Sequence, residues 1–92
     1  MLNESLKEAC MNSDFNIDEI QSFKVVSRFG GCMTFEFVID DEEYFITFEA
    51  YKNAVLNNKK YIKIFTYYSS DEFLVCSVEY LTYILKIKLT EN

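Results

Sequence analysis

Apolar and polar residues alternate over two segments that flank Gly30 and Gly31, the two glycines of the chain. The second segment alternates most regularly, with Met33, Phe35, Phe37 and Ile39 on one face and Thr34, Glu36 and Val38 on the other. A period of two is typical of β-strands, so the pattern predicts strands at about 21–29 and 32–39. Because glycine tolerates positive φ, the glycine pair predicts a hairpin turn between them.

The pairing of apolar side chains predicts the length of this turn. A three-residue loop at 29–31 sets Val25 opposite Phe35, whereas a two-residue glycine loop sets Lys24 opposite Phe37. Cross-strand partners of the same character stabilise a sheet, and a slip of one residue reverses every side chain. We therefore predict the three-residue loop, with a bulge.

The same argument extends to a second hairpin. A four-residue loop at 40–43 pairs Ile39 with Tyr44 and Phe37 with Ile46, which predicts a third strand at about 44–51. In this register the opposite face carries Glu36 and Glu49 as outward-pointing diagonal neighbours. Like charges this close weaken a sheet, which suggests a function for them.

The remaining segments complete an α+β fold. Leu2, Leu6, Ala9 and Cys10 recur at helical spacing and predict a short N-terminal helix over 2–11. Residues 52–60 predict a polar connection with room for one helical turn, and 61–68 predicts a further strand.

The C-terminal segment supports two interpretations. Ser69-Ser70-Asp71-Glu72 fits a capping box, and Leu74, Val78, Leu81 and Leu85 recur at helical spacing, so we predict a helix at about 70–85. The alternation of Tyr83, Leu85, Ile87 and Leu89 with lysines favours a strand as the alternative. The expected fold is a single domain, 1–92, with about four antiparallel strands and a helix at each end.

Composition indicates a folded cytoplasmic protein. Half of the residues are hydrophobic and 17% are aromatic, which exceeds what a disordered acidic chain carries. There is no apolar run of about 18 residues and no signal-peptide pattern, so we expect no membrane association and no export. Three widely spaced cysteines, Cys10, Cys32 and Cys76, suit free thiols in a reducing compartment better than a disulfide framework or a metal site.

The net charge of -6 lies in one stretch of the chain. Residues 29–51 contain no lysine or arginine and six acids, namely Glu36, Asp40, Asp41, Glu42, Glu43 and Glu49. Elsewhere acids and bases cancel. The predicted strands place this charge on a structured hairpin rather than on a disordered tail.

The sequence contains no recognisable motif for catalysis or for cofactor binding. The chain has no histidine, which excludes histidine-based triads, and its glycines do not form a phosphate-binding loop. Glycosidase-type carboxylates need a cleft that an open sheet face does not provide. Consecutive acids in a turn do not follow a calcium-loop pattern. The expectation is a protein that is not an enzyme, with no catalytic residue, cofactor or metal site.

Protein binding is the function class that remains. Direct nucleic-acid binding is disfavoured because phosphates would meet a negative protein. We expect the acidic hairpin to bind a basic protein, such as a nuclease, on its nucleic-acid-binding surface. The predicted partner-binding residues are Glu36, Asp40, Asp41, Glu42, Glu43, Phe45, Glu49 and Tyr51.

The chain is small and acidic, and it contains few residues that are encoded by GC-rich codons, as is typical of proteins from AT-rich genomes. These properties suggest a class for such a binder. These properties look like those of phage-encoded anti-defence proteins, such as anti-CRISPR proteins, acting in a bacterial cytoplasm. The first alternative is an immunity protein or antitoxin that neutralises a basic toxin nuclease. The second is a small ligand-binding domain or carboxylate enzyme, and the strand edges leave a homodimer open.

Overall fold

A five-stranded antiparallel sheet and two helices make up the described part of the chain, which confirms the α+β class. The computed structural model describes residues 15, 17–28, 30–69 and 71–91. A 3-10 turn at Ile17–Glu19 precedes β1 (Ile20–Arg28), β2 (Cys32–Ile39), β3 (Glu42–Thr47), α1 (Phe48–Leu56), β4 (Tyr61–Thr66), β5 (Phe73–Ser77) and α2 (Val78–Thr90). The predicted N-terminal helix at 2–11 lies outside the described residues.

The strands form a simple meander. Their order in the sheet is β1-β2-β3-β4-β5, so each strand pairs with its neighbour along the chain. Antiparallel neighbours need only short connections, which the glycine and aspartate turns supply. The strand predicted at 61–68 ends earlier, at Thr66, and the strand predicted at 21–29 begins one residue earlier, at Ile20.

The register predicted for the first hairpin is confirmed. Val25 lies opposite Phe35 and Arg28 lies opposite Cys32, which leaves a loop of three residues. Both glycines have positive φ, 75° at Gly30 and 97° at Gly31. This left-handed backbone is the reason that glycine is required there.

The register predicted for the second hairpin is wrong by two residues. Ile39 pairs with Glu42 and Phe37 pairs with Tyr44, so the loop contains only Asp40 and Asp41. Both aspartates have positive φ, 53° and 62°. Two left-handed residues form the tight turn whose twist matches a hairpin, and aspartate tolerates that conformation better than most residues. The shift is even, so the assignment of side chains to the two faces is unchanged.

The third strand ends earlier than predicted. Thr47 caps a helix, since its Oγ1 accepts a hydrogen bond of 3.1 Å from the backbone N–H of Ala50. The chain from Phe48 to Leu56 is therefore α1, not the end of a strand followed by a polar loop. Buried Ala54 and the Phe48 ring, whose centroid lies 6.2 Å from that of Phe35, pack this helix onto the protein.

The C-terminal segment contains both structures that the sequence supported. Residues 73–77 form β5, and the helix begins at Val78 rather than near residue 70. Its N-cap is Ser77, whose hydroxyl accepts a 3.0 Å hydrogen bond from the N–H of Tyr80. Neither α1 nor α2, the helices of the described residues, is long and apolar enough to cross a bilayer.

The hydrophobic core lies between one face of the sheet and α2. We call this the core face. Its strands contribute Phe35, Phe37, Ile39, Ile46, Ile64 and Cys76, and α2 contributes Leu81, Ile84 and Leu85. Burying large apolar side chains of this kind contributes about 1.5–3 kcal/mol each. Cys76 is buried and Cys32 is exposed, while Cys10 lies outside the described residues.

Candidate functional site

Three separate segments bring acidic residues to one end of the sheet. In an antiparallel meander the start of β1, the β2–β3 turn and the β4–β5 loop lie at the same end. We call this surface the acidic end. It contains Asp18, Glu19, Asp40, Asp41, Glu42, Glu43, Asp71 and Glu72, all of them exposed.

Contacts around Tyr44 link the turn to the β4–β5 loop. Tyr44 pairs with Thr66, and the Thr66 N–H donates a 3.2 Å hydrogen bond to the carbonyl of Glu72. Burial raises the pKa of Tyr44, and the negative charges of Glu42, Glu72 and Asp40 raise it further. Carboxylates from two loops therefore act on one phenol, which places them within electrostatic range of each other.

The acidic turn is held in place by β1. A register shift between Ile20 and Ser22 marks an irregularity at Gln21. The Gln21 amide accepts a 2.7 Å hydrogen bond from the Asp41 N–H and donates one of 3.3 Å to the Asp41 carboxylate. Within the described residues, no lysine or arginine forms an ion pair with residues 40–43. The backbone of the turn is thus held at Asp41, and the four carboxylates are exposed.

Glu36 is not on the exposed surface where the sequence placed it. Only 6% of the residue is accessible to solvent. Its Oε2 accepts a 2.6 Å hydrogen bond from the Arg28 Nε and another from the Tyr67 hydroxyl. Tyr67 reaches it from the end of β4, across the ring of Phe45 on β3. The Glu36 carboxylate is therefore part of an internal hydrogen-bond network. This network lies on the face of the sheet opposite the core face, and we call that face the outer face.

This network keeps Glu36 ionised. Burial raises the pKa of the Glu36 carboxyl, but the hydrogen bonds from Tyr67 and Arg28 and the positive charge of Arg28 outweigh it, so the pKa is lowered overall. Burial and the Glu36 carboxylate together raise the pKa of Tyr67 to about 12. A charged glutamate and a neutral tyrosine are the stable pair.

The other predicted binding residues lie apart from the acidic turn. Glu49 is on α1, 4.0 Å from Lys52, and is not a neighbour of Glu36. Phe45 is half-buried because Tyr67 stacks on it, with ring centroids 4.3 Å apart. Tyr51 is half-buried and its hydroxyl lies 2.7 Å from that of Thr82. Of the eight predicted residues, the structure keeps four together: Asp40, Asp41, Glu42 and Glu43.

Sequence reasoning missed the other half of the acidic end. Asp71 and Glu72 were interpreted as part of a helix cap, and Asp18 and Glu19 precede the first strand. A fifth strand at 73–77 would have placed residues 71 and 72 in a loop beside the acidic turn. The short continuous apolar run from Phe73 to Cys76, which follows the polar residues 69–72, was the signal available for that strand.

The acidic end does not present a ready-made metal site. Among the described residues, no three His, Cys, Asp or Glu side chains come close enough together to hold a metal ion. Comparisons of the chain with protein-family models, with curated proteins and with solved structures found no match.

Proposed function

We propose that the protein is a non-enzymatic inhibitor or regulator that uses its acidic end to occupy a basic, nucleic-acid-binding surface of a partner protein. The convergence of acids from three chain segments on one end of the sheet carries this proposal. A nuclease of the kind that anti-CRISPR and other anti-defence proteins block is the partner class that fits.

The geometry suits a substitute for a phosphate backbone. The sheet holds the backbone of the tight turn and of the short loops, so binding costs little loop ordering. Residues 40–43 form no ion pair within the described chain, so none has to be broken when a partner approaches. Clustered negative charge also accelerates the encounter with a basic surface.

Two double variants of equal charge test the proposal. Glu42→Gln with Glu43→Gln removes two of the eight negative charges of the acidic end without touching the left-handed turn residues. Glu49→Gln with Glu79→Gln removes the same charge from exposed positions on the two helices. Each variant and the wild type are used to capture proteins from a lysate of the source organism over a salt series. Captured proteins are then eluted with single- or double-stranded DNA.

The expected result is a DNA-eluted nuclease that the wild type and the helix variant capture equally. The acidic-end variant should retain about a tenth of the affinity or less at low salt, with a weaker salt dependence. Equal capture by all three proteins, or capture that DNA does not reverse, would contradict the proposal. A captured nuclease toxin would identify the immunity-protein form of the same mechanism.

A further inference from the structure

A groove opens at the other end of the sheet, where β3 and β4 separate. Their pairing is confined to Tyr44 with Thr66 and Phe45 with Phe65, and α1 follows β3 directly at Phe48. Between α1, the first part of β4 and Val75 in the middle of β5 lies a cavity of about 450 Å³. Its lining includes Ala50, Ala54, Lys59, Lys63, Phe65 and Val75. This volume falls within the range of about 300–1,000 Å³ that small-molecule sites occupy.

The groove combines an apolar wall with positive charge. Ala54 and Val75 are buried, and Phe65 adds a half-buried aromatic ring. Lys59 and Lys63 are exposed at its edge, and neither forms an ion pair with an acidic side chain of the described chain. The Lys63 ammonium lies 4.5 Å from the centroid of the Phe73 ring, a cation–π contact that holds it on the outer face.

We propose that this groove binds an amphipathic anion, a small molecule with an apolar body and one carboxylate. The apolar body would displace water from the wall formed by α1 and the strands. The carboxylate would accept hydrogen bonds from one or both lysines, which are stronger when both groups are charged. A neutral ligand cannot form charged hydrogen bonds with the lysines, and a cationic ligand is repelled by their positive charge.

This site is separate from the acidic end. Lys59 precedes β4 and Lys63 is the third residue of this strand, whereas residues 40–43 lie at the turn beyond its opposite end. The proposal therefore does not depend on the proposed function, and a ligand in the groove leaves residues 40–43 accessible.

Calorimetric titration with three ten-carbon probes tests the ligand class. Decanoate, decanol and decyltrimethylammonium share an apolar chain and differ in charge. Decanoate and decyltrimethylammonium are used below their micelle concentrations and decanol below its solubility limit, and two-dimensional NMR maps the site. We expect saturable binding of decanoate with shifts at Ala50, Ala54 and Lys63, and binding of the other two that is about tenfold weaker or absent.

Two pairs of variants locate the site. Ala50→Trp places a ring in the groove, whereas Leu56→Trp adds the same ring to an exposed position of α1 away from it. Lys63→Gln removes a charge from the groove, whereas Lys60→Gln removes one from an adjacent surface depression that includes Glu79. The groove variant of each pair should weaken decanoate binding about fivefold or more, and the control should not.

Three results would overturn this proposal. The first is equal affinity for decanol and decanoate, and the second is binding that Ala50→Trp leaves unchanged. The third is concentration-dependent association in sedimentation that Lys63→Gln abolishes in the absence of decanoate binding. That result would make the acidic turn of a second copy the occupant. Circular dichroism of every variant confirms that the comparison concerns folded protein.

Discussion

Glu36 and the turn acids Asp40 to Glu43 belong to one hairpin and differ in burial and in ion pairing. Glu36 is buried, charged and bonded to Arg28 and Tyr67, whereas the four turn residues are exposed and form no ion pair in the described structure. Removing one partner from a buried pair is costly, while an exposed charge contributes little to stability. The same residue type is structural at one position of the hairpin and available for binding at another.

The difference originates outside the hairpin. Strand β2 alone would leave Glu36 on an open sheet face. Tyr67, which follows β4, stacks on Phe45 and covers that face, and Arg28 lies across the Tyr67 ring at 5.7 Å. The turn acids have no such cover because they lie beyond the ends of the strands. A carboxylate therefore stays accessible in this hairpin when it lies beyond the ends of the strands, where no side chain from another strand covers it.

Replacing Glu36 by a cation should give the largest effect. Glu36→Lys places a positive charge beside Arg28 and leaves the Tyr67 hydroxyl without its acceptor, so we expect a loss of about 2–3 kcal/mol in the free energy of unfolding. Glu43→Lys, on the same face of the hairpin but exposed, should change it by less than about 0.5 kcal/mol. Urea unfolding measures both. Equal losses would show that the two acids have the same role.

The turn acids also have a backbone role that their charge does not explain. Asp41→Val puts a β-branched residue at a φ of 62° and removes the hydrogen bond to Gln21, so we expect a loss of about 1–2 kcal/mol. Asp41→Asn removes the charge but keeps the conformation and the acceptor oxygen, and should be nearly neutral. Thermal melts of the two variants make the comparison. A destabilised asparagine variant would mean that the charge itself is structural.

The stability that the Glu36 network contributes should depend on pH. A carboxyl with a lowered pKa stabilises the fold above its ordinary value of 4.5, and this contribution is lost as the pH falls through the lower folded pKa. A tyrosine whose pKa is raised to about 12 stabilises the fold below its ordinary value of 10.0, and this contribution is lost as the pH rises toward 12.

Tyr67→Phe tests this directly, since it keeps the stacking on Phe45 and removes the hydroxyl. We expect it to cost about 1 kcal/mol between pH 6 and pH 9, because Tyr67 is partly exposed, and progressively less toward pH 3 and toward pH 12. Melting temperatures of wild type and variant across that range give the difference. A difference independent of pH would show that the hydroxyl does not act through Glu36.

Neutralising the whole turn should have the smallest effect on stability. Asp40→Asn, Asp41→Asn, Glu42→Gln and Glu43→Gln together preserve shape and turn conformation, so we expect a change below about 0.5 kcal/mol, and at low salt a slight gain from reduced repulsion. The measurement is the melting temperature at low and high salt. A loss of stability comparable to that of Glu36→Lys would show that the turn acids are structural, as Glu36 is.

Local pairing rules predicted much of the sheet. Apolar matching determined the β1–β2 register because a one-residue slip would have set Lys24 opposite Phe37. The same rule could not distinguish two-residue and four-residue loops at the second turn, since both give identical faces. Only the positive φ of Asp40 and Asp41 distinguishes them, and aspartate is compatible with either.

Helix boundaries were harder to predict because single residues decide them. Thr47 and Ser77 each cap a helix through one hydroxyl, and the alternating apolar pattern continues past both. The burial of Glu36 was beyond local reasoning altogether. It depends on Tyr67, which is 31 residues away along the chain and two strands away in the sheet.

The meander also has a consequence for the order of folding. The ion pair between Arg28 and Glu36 spans 8 residues, whereas the bond from Tyr67 to Glu36 spans 31. Short loops close with a smaller entropy loss, and chains rich in local contacts fold rapidly. The first hairpin is therefore able to form the ion pair early, and the tyrosine joins it only after β3 and β4 have assembled.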